Sequence, residues 1–242
     1  MKRIAWITDI HLDFVGDENL LSFLEQLHES QADALLFSGD IGEASSVTGY
    51  LSQVAAAANC PTYFVLGNHD FYEGSIREVR QQVSDFCDDH GSLHYLSQGD
   101  VFPLTDKVGL VGHDGWADGR IGDYESSEVM MNDYQLIKEL APYSKLDRWP
   151  ILKQLGDEAA AHIERVLELG LEQFSLLMTL SLALNILTDV NCLEKLTQLE
   201  VLGLGSNQLT NVKGLEKLTQ LRTLSLAGNQ LHDVKRLEKL TQ

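Results

Sequence analysis

Leu177, Leu180, Leu182, Asn185, Leu187, Val190, Leu193 and Leu196 recur 22 residues later as Leu199, Leu202, Leu204, Asn207, Leu209, Val212, Leu215 and Leu218. They recur once more as Leu221, Leu224, Leu226, Asn229, Leu231, Val234, Leu237 and Leu240, and Glu-Lys-Leu-Thr-Gln closes each copy. A fixed period of this length restricts the chain to stacked supersecondary units, because one unit cannot bury its own apolar face. Each copy is predicted to add a short strand to a parallel sheet, with the leucines stacked in a shared core. The asparagine then serves backbone groups at a turn, where no ladder reaches. Three copies stand near the lower limit for such an array. With no polar segment after Gln242, the last copy is expected to show leucine edges, which suits a fragment, a frayed end or a paired one.

The pattern L-x-x-L-x-L-x-x-N-x-L resembles the leucine-rich repeat family with a short, internalin-like period. The resemblance implies a short solenoid over residues 175–242 and a protein partner recognised through it.

Residues 1–174 have a different grammar. Three apolar runs, Ile4–Ile7, Ala34–Phe37 and Tyr63–Leu66, read as strands, and each runs into a polar motif: Asp9-Ile10-His11, Gly39-Asp40 and Gly67-Asn68-His69-Asp70. Helical spacing follows each strand: Leu20, Phe23, Leu24 and Leu27; an alanine-rich stretch near 54–58 after Ser45 or Ser46; then Ile76, Val79, Val83 and Phe86. A fourth strand is predicted at Val108–Val111, leading into Gly112-His113-Asp114-Gly115-Trp116. An acidic stretch with Asp118, Asp123, Glu125 and Glu128 reads as a solvated loop. A long helix with Leu155, Ala159, His162, Ile163, Val166 and Leu167 closes the region. Alternating strands and helices predict an α/β domain, and strand ends in such sheets face a common crevice.

Two carboxylates, two imidazoles and an amide delivered to one crevice look like a metal site. The ordered motifs D-x-H, G-D and G-N-H-D resemble the calcineurin-like metallophosphoesterase family over residues 1–174, about two-thirds of that fold. The resemblance implies a partial α/β sandwich, followed here by the repeat solenoid. It also implies divalent metals, with Mn, Fe, Zn or Co suited to mixed oxygen and imidazole donors, and a phosphoester substrate. By motif, Asp9 and His11 would bind a first metal, Asp40 would bridge and Asn68 would bind a second. His69 would act as general acid or transition-state stabiliser, with Asp70 orienting it; Asp70 would equally suit a helix cap. The family's remaining histidines, in segments like T-H-x-P-P and G-H-x-H, are missing from the histidines at 11, 28, 69, 90, 94, 113, 162 and 232. By motif the first metal keeps Asp9, His11 and Asp40, and the second keeps only Asp40 and Asn68. One weak site and impaired hydrolysis are therefore expected. Two alternatives stay open: a degenerate protein-binding module acting through its repeats, or a broken gene fusion.

The other histidines carry less. His113 suits a crevice rim or a plain loop, His162 simple packing or a helix surface, His232 a solvated turn, and His28, His90 and His94 helix ends or loops. Trp116 suits core or crevice wall, and Cys192 a small core or turn position.

The net charge of −18 works against nonspecific nucleic-acid binding, which needs basic groups, and against anionic membranes. It is uneven: residues 177–242 hold seven basic against six acidic groups, so the preceding residues carry about −19. Cys60, Cys87 and Cys192 form no C-x-x-C pair and leave an odd thiol. That fits a reducing compartment, so a cytoplasmic location is expected. No apolar stretch has the length of a membrane span.

Overall fold

The computed structural model describes residues 3–99, 101–105, 108–115, 118–120, 122–173, 178–182 and 187–240. The chain divides into two compact units: Met1–Gly99 with Gly112–Ala159, and Asp100–Val111 with Ala160–Gln242. Helix α5 (Lys145–Gln173) supplies residues to both. The change of character expected at residues 174–175 lies outside the described residues, as do Trp116, Leu177 and Asn185.

The first unit is built on a four-stranded parallel sheet in the order β1 (Ile4–Ile7), β2 (Ala34–Ser38), β3 (Thr62–Val65), β4 (Leu93–Tyr95). The apolar runs make β1 to β3 as expected. Helices α1 (Asp17–Glu29), α2 (Val47–Ala58) and α3 (Ile76–Asp88) connect them, as parallel strands require. One sheet face carries Ala5, Leu35, Ile7, Phe37, Phe64 and Tyr95 into a core shared with Val47, Leu51, Val79 and Val83. Phe37, Phe64 and Phe71 are fully enclosed, and each stabilises the fold by roughly 1.5–3 kcal/mol. The opposite face carries the row Trp6, Leu36, Tyr63 and His94. Trp6, on edge strand β1, is 71% exposed and donates its indole N–H to Ser38 Oγ at 2.9 Å.

The ends of these elements follow from local chemistry. Asn59 closes α2 in the left-handed region with φ 51°, a conformation that asparagine tolerates. Ser75 caps α3, its hydroxyl accepting from the Glu78 N–H at 3.3 Å as in a capping box. Glu139 adds to the cap by accepting from the Ser75 hydroxyl at 2.6 Å and the Ile76 N–H at 3.0 Å.

Three expectations are corrected. The fourth strand of the parallel sheet is β4, whereas Val108–Leu110 (β6) pairs antiparallel with β5 (Phe102–Thr105). His94, expected in a loop or helix end, lies in β4 with its ring stacked 4.8 Å from Tyr63, and burial lowers its pKa. Asp118 also departs from the solvated acidic loop: it is buried and pairs with Arg120 Nε at 2.9 Å, while Asp123, Glu125 and Glu128 are exposed.

In the second unit, β7 (Thr179–Ser181), β8 (Val201–Gly203) and β9 (Thr223–Ser225) form a parallel sheet whose partners lie 22 residues apart. Leu182, Leu202, Leu204, Leu209, Val212 and Leu215 are buried together with Ile163 and Leu167 of α5. Buried Asn207 accepts from the Leu187 N–H at 3.0 Å and donates to the carbonyls of Leu182 and Leu204 at 2.8 and 3.1 Å. Asn229 repeats the pattern, with Leu209 N–H at 3.0 Å and the carbonyls of Leu204 and Leu226 at 2.8 and 2.9 Å. No described helix is long and apolar enough to cross a membrane.

Candidate metal centre

The three polar motifs occupy the loops that leave β1, β2 and β3. The loops after β1 and β2 are joined by backbone bonds: Asp9 N–H to Gly39 O at 3.3 Å, His11 N–H to Asp40 O at 2.9 Å, and Leu12 N–H to Ile41 O at 2.9 Å. Asp9, His11 and Asp40 all take positive φ, 50°, 45° and 54°. Left-handed backbone at non-glycine residues costs roughly 1–3 kcal/mol each, and three together on adjoining loops mark a place where side-chain direction is retained at the expense of backbone ease.

The third loop closes on the second through two glycines. A Cβ on Gly67 would stand 2.0 Å from Asp40 Oδ1 and 2.6 Å from the Asp40 backbone nitrogen. Gly39, at φ 95°, would set a Cβ 2.7 Å from the Gly67 nitrogen. The G-D and G-N-H-D motifs thus need their glycines for close contact.

One atom from each of His11, Asp40 and His69 lies within 4.8 Å of the others. The His11 and His69 rings stand edge to face with centroids 4.4 Å apart. Asp40, 8% exposed, takes the His69 N–H on Oδ1 at 3.1 Å and faces His11 Nε2 with Oδ2 at 3.8 Å. Ligand bonds of about 2.0–2.2 Å hold donors at most about 4.4 Å apart, so these three fit a divalent cation after a small closure. Two imidazoles and a carboxylate suit a first-row transition ion.

The other site candidates sit around this group. Asp9 lies outside it, and its Oδ2 accepts from the Thr8 hydroxyl. Asn68 donates its amide N–H to Asp133 Oδ1 at 2.8 Å. Asp70 neither orients the His69 ring nor caps α3. Its Oδ1 accepts from the Ile41 and Gly42 N–H groups at 2.9 and 2.8 Å, and its Oδ2 accepts from Gly67 N–H at 2.8 Å. Its hydrogen bonds among the described residues all go to these backbone donors, and none goes to the His69 ring. Burial pushes its pKa up to about 7 against the pull of those donors. Asp70 therefore ties the second loop to the third.

Two further buried acids brace the third loop. Asp114, 2% exposed, accepts from Leu66 N–H at 2.7 Å, Ser97 Oγ at 2.6 Å, Arg80 Nε at 3.1 Å and the Tyr95 hydroxyl. Asp133 begins the short helix α4 (Asp133–Leu136) and accepts from Asn68 and from the Tyr72 hydroxyl, both at 2.8 Å. In the sequence, only Asp114's place just after the fourth apolar run hinted at either role. His113 is half-buried in the loop before Asp114.

The family model described as calcineurin-like phosphoesterase matches residues 2–165. The chain belongs to the calcineurin-like phosphoesterase family. A probable cyclic nucleotide phosphodiesterase from Pseudoalteromonas sp. (strain SM9913) is 37% identical over 81 residues, covering 28% of this chain and 31% of that protein. The phosphopantetheinyl hydrolase of Mycobacterium tuberculosis aligns with TM-score 0.49 and 17% identity over 71% of this chain and 63% of its own. An internalin of Listeria monocytogenes str. 4b F2365 aligns with TM-score 0.31 and 14% identity over 89% of this chain and 54% of its own. The chain thus spans less than two-thirds of each of these relatives.

Proposed function

We propose that residues 1–174 form a hydrolase domain for phosphoric esters with one weak divalent-ion site, and that its activity is low. The observation that carries this reading is the convergence of His11, Asp40 and His69 donors within 4.8 Å on three loops that each follow a strand. His11 and Asp40 would hold the ion, with the Asn68 amide oxygen as a further donor and Asp9 as another if its side chain turns inward. When bound, such an ion supplies Lewis acidity, which acidifies water and offsets phosphoryl charge. His69 stands against both ligands and is half-buried. In its protonated form it would donate a hydrogen bond to a phosphoryl or leaving-group oxygen; in its neutral form it would serve as a third ligand. The shortage of donors underlies the low activity, since three histidines expected from the family pattern have no counterpart in the sequence.

A phosphodiester is the first substrate class to test, in view of the name carried by the Pseudoalteromonas relative. The purified chain should hydrolyse bis(p-nitrophenyl) phosphate slowly with Mn²⁺, and Asp40→Asn should remove that rate. Equal rates for the two proteins would contradict the reading.

A second reading has its own support: residues 175–242 as a leucine-rich repeat segment that binds a protein. In β7, β8 and β9 the leucines Leu180, Leu202 and Leu224 point inward, while Thr179, Ser181, Val201, Thr223 and Ser225 face outward and are exposed. Stacked strands of this kind present a continuous recognition surface. Cys60, Cys87 and Cys192 are free thiols, which suits the cytoplasmic location that belongs to this proposal.

A further inference from the structure

Asp133 is 1% exposed, yet its two oxygens are used unequally. Oδ1 accepts from the Asn68 amide and from the Tyr72 hydroxyl, each at 2.8 Å. Oδ2 is buried with no hydrogen-bond partner among the described residues. A buried oxygen without a donor is costly, and a side chain retained for packing alone would not carry that cost.

The chemistry of the pair fixes a direction. An ionised carboxylate only accepts hydrogen bonds, whereas an amide has a donating nitrogen and an accepting oxygen. Facing Asp133, Asn68 has to present its NH₂ group, so its carbonyl oxygen is the atom left over. That oxygen is the part of an asparagine side chain that ligates cations. Tyr72 completes the arrangement. Its hydroxyl lies 3.2 Å from Asn68 Nδ2, and its ring packs 4.3 Å from the His69 ring.

We infer that Asp133 is the positioning residue of the site: it locks the Asn68 amide with the carbonyl oxygen offered as donor and, through Tyr72, steadies the His69 ring. This inference rests on the metal-site reading above and adds a residue that none of the three motifs contains.

The test compares Asp133→Asn with the unaltered chain by two readouts. The first is the ¹⁵N–¹H signal of the Asn68 side-chain amide in metal-free protein. The second is Mn²⁺ affinity, measured by electron paramagnetic resonance. Asp133→Asn lets the Asn68 amide turn, so its signal should move and Mn²⁺ affinity should fall about 10–100-fold. Tyr72→Phe, which leaves the carboxylate–amide bond in place, should keep affinity within roughly threefold of the unaltered chain, the residual change coming from a looser His69 ring. If Asp133→Asn does not fold, the reversed pair decides. Asn68→Asp alone should lose Mn²⁺, and adding Asp133→Asn should recover it, because one amide again faces one carboxylate. An unmoved amide signal, an affinity unchanged in Asp133→Asn while Asn68→Ala lowers it, or a reversed pair that recovers nothing would each overturn the inference. No Mn²⁺ bound by the unaltered chain would overturn the metal-site reading itself and this inference with it, a failure visible in that arm alone.

Discussion

Gly67 shows how strictly the site depends on single atoms. A methyl group there would meet Asp40 Oδ1 at 2.0 Å and the Asp40 backbone at 2.6 Å, so Gly67→Ala has to push the second loop away from the third. We expect a loss of roughly 1–3 kcal/mol in urea unfolding, the usual cost of overpacking, together with loss of Mn²⁺ binding. Unchanged Mn²⁺ affinity in the Ala variant would show that the two loops need not touch. The motif residues are legible as a group because each follows an apolar run. What each side chain does is less legible. Asp70 adjoins His69 in sequence, so orienting it is the natural expectation; in space three backbone N–H groups claim its carboxylate. Asp133 reaches Asn68 across 65 residues, and Met131-Asn132-Asp133-Tyr134 carries no local signal of a buried acid.

At the scale of elements, the repeat unit supplies the sharpest contrast. Asn207→Ala removes the acceptor of the Leu187 N–H and one donor each from the Leu182 and Leu204 carbonyls in a buried place, the Leu204 carbonyl keeping Asn229. Leaving the Leu187 N–H unpaired costs roughly 1–3 kcal/mol. Asn229→Ala removes a similar set from a more exposed position, where water can replace the lost bonds. Urea titration should therefore rank Asn207→Ala as clearly the more damaging, and equal losses would speak against a buried asparagine ladder. Strand β4 makes a pH prediction. Burial lowers the His94 pKa below 6.5, so the unfolded chain binds the proton more readily and stability rises with pH in that window. The contribution is complete above about pH 6.5 and is lost as pH falls below it. His94→Tyr, which keeps a ring against Tyr63, should flatten the slope of unfolding free energy between pH 7 and 5.5; an unchanged slope would assign that slope to other groups. β4 escapes a reading of the sequence because Leu93-His94-Tyr95 is only three residues long with a histidine at its centre. Val108–Leu110 is legible as a strand, but apolar content does not say which sheet a strand joins, and it pairs with β5.

On the scale of the whole molecule, two patterns share one chain, apolar runs alternating with helical spacing in the first unit and a 22-residue repeat in the second. Both are legible in the order of residues alone, because periodicity is a property of sequence. The loop contacts that gather His11, Asp40 and His69 are not, since they depend on φ values and glycine clearances that spacing does not encode. The net charge of −18 adds a general reason for the chain to attract cations, but the central claim is narrower: one divalent ion at His11, Asp40 and His69. The direct measurement is elemental analysis of the chain after saturation with Mn²⁺ and gel filtration, beside Asp40→Asn. The account predicts no more than one equivalent of metal, absent from Asp40→Asn. Two tightly held equivalents, or one that survives Asp40→Asn, would contradict it.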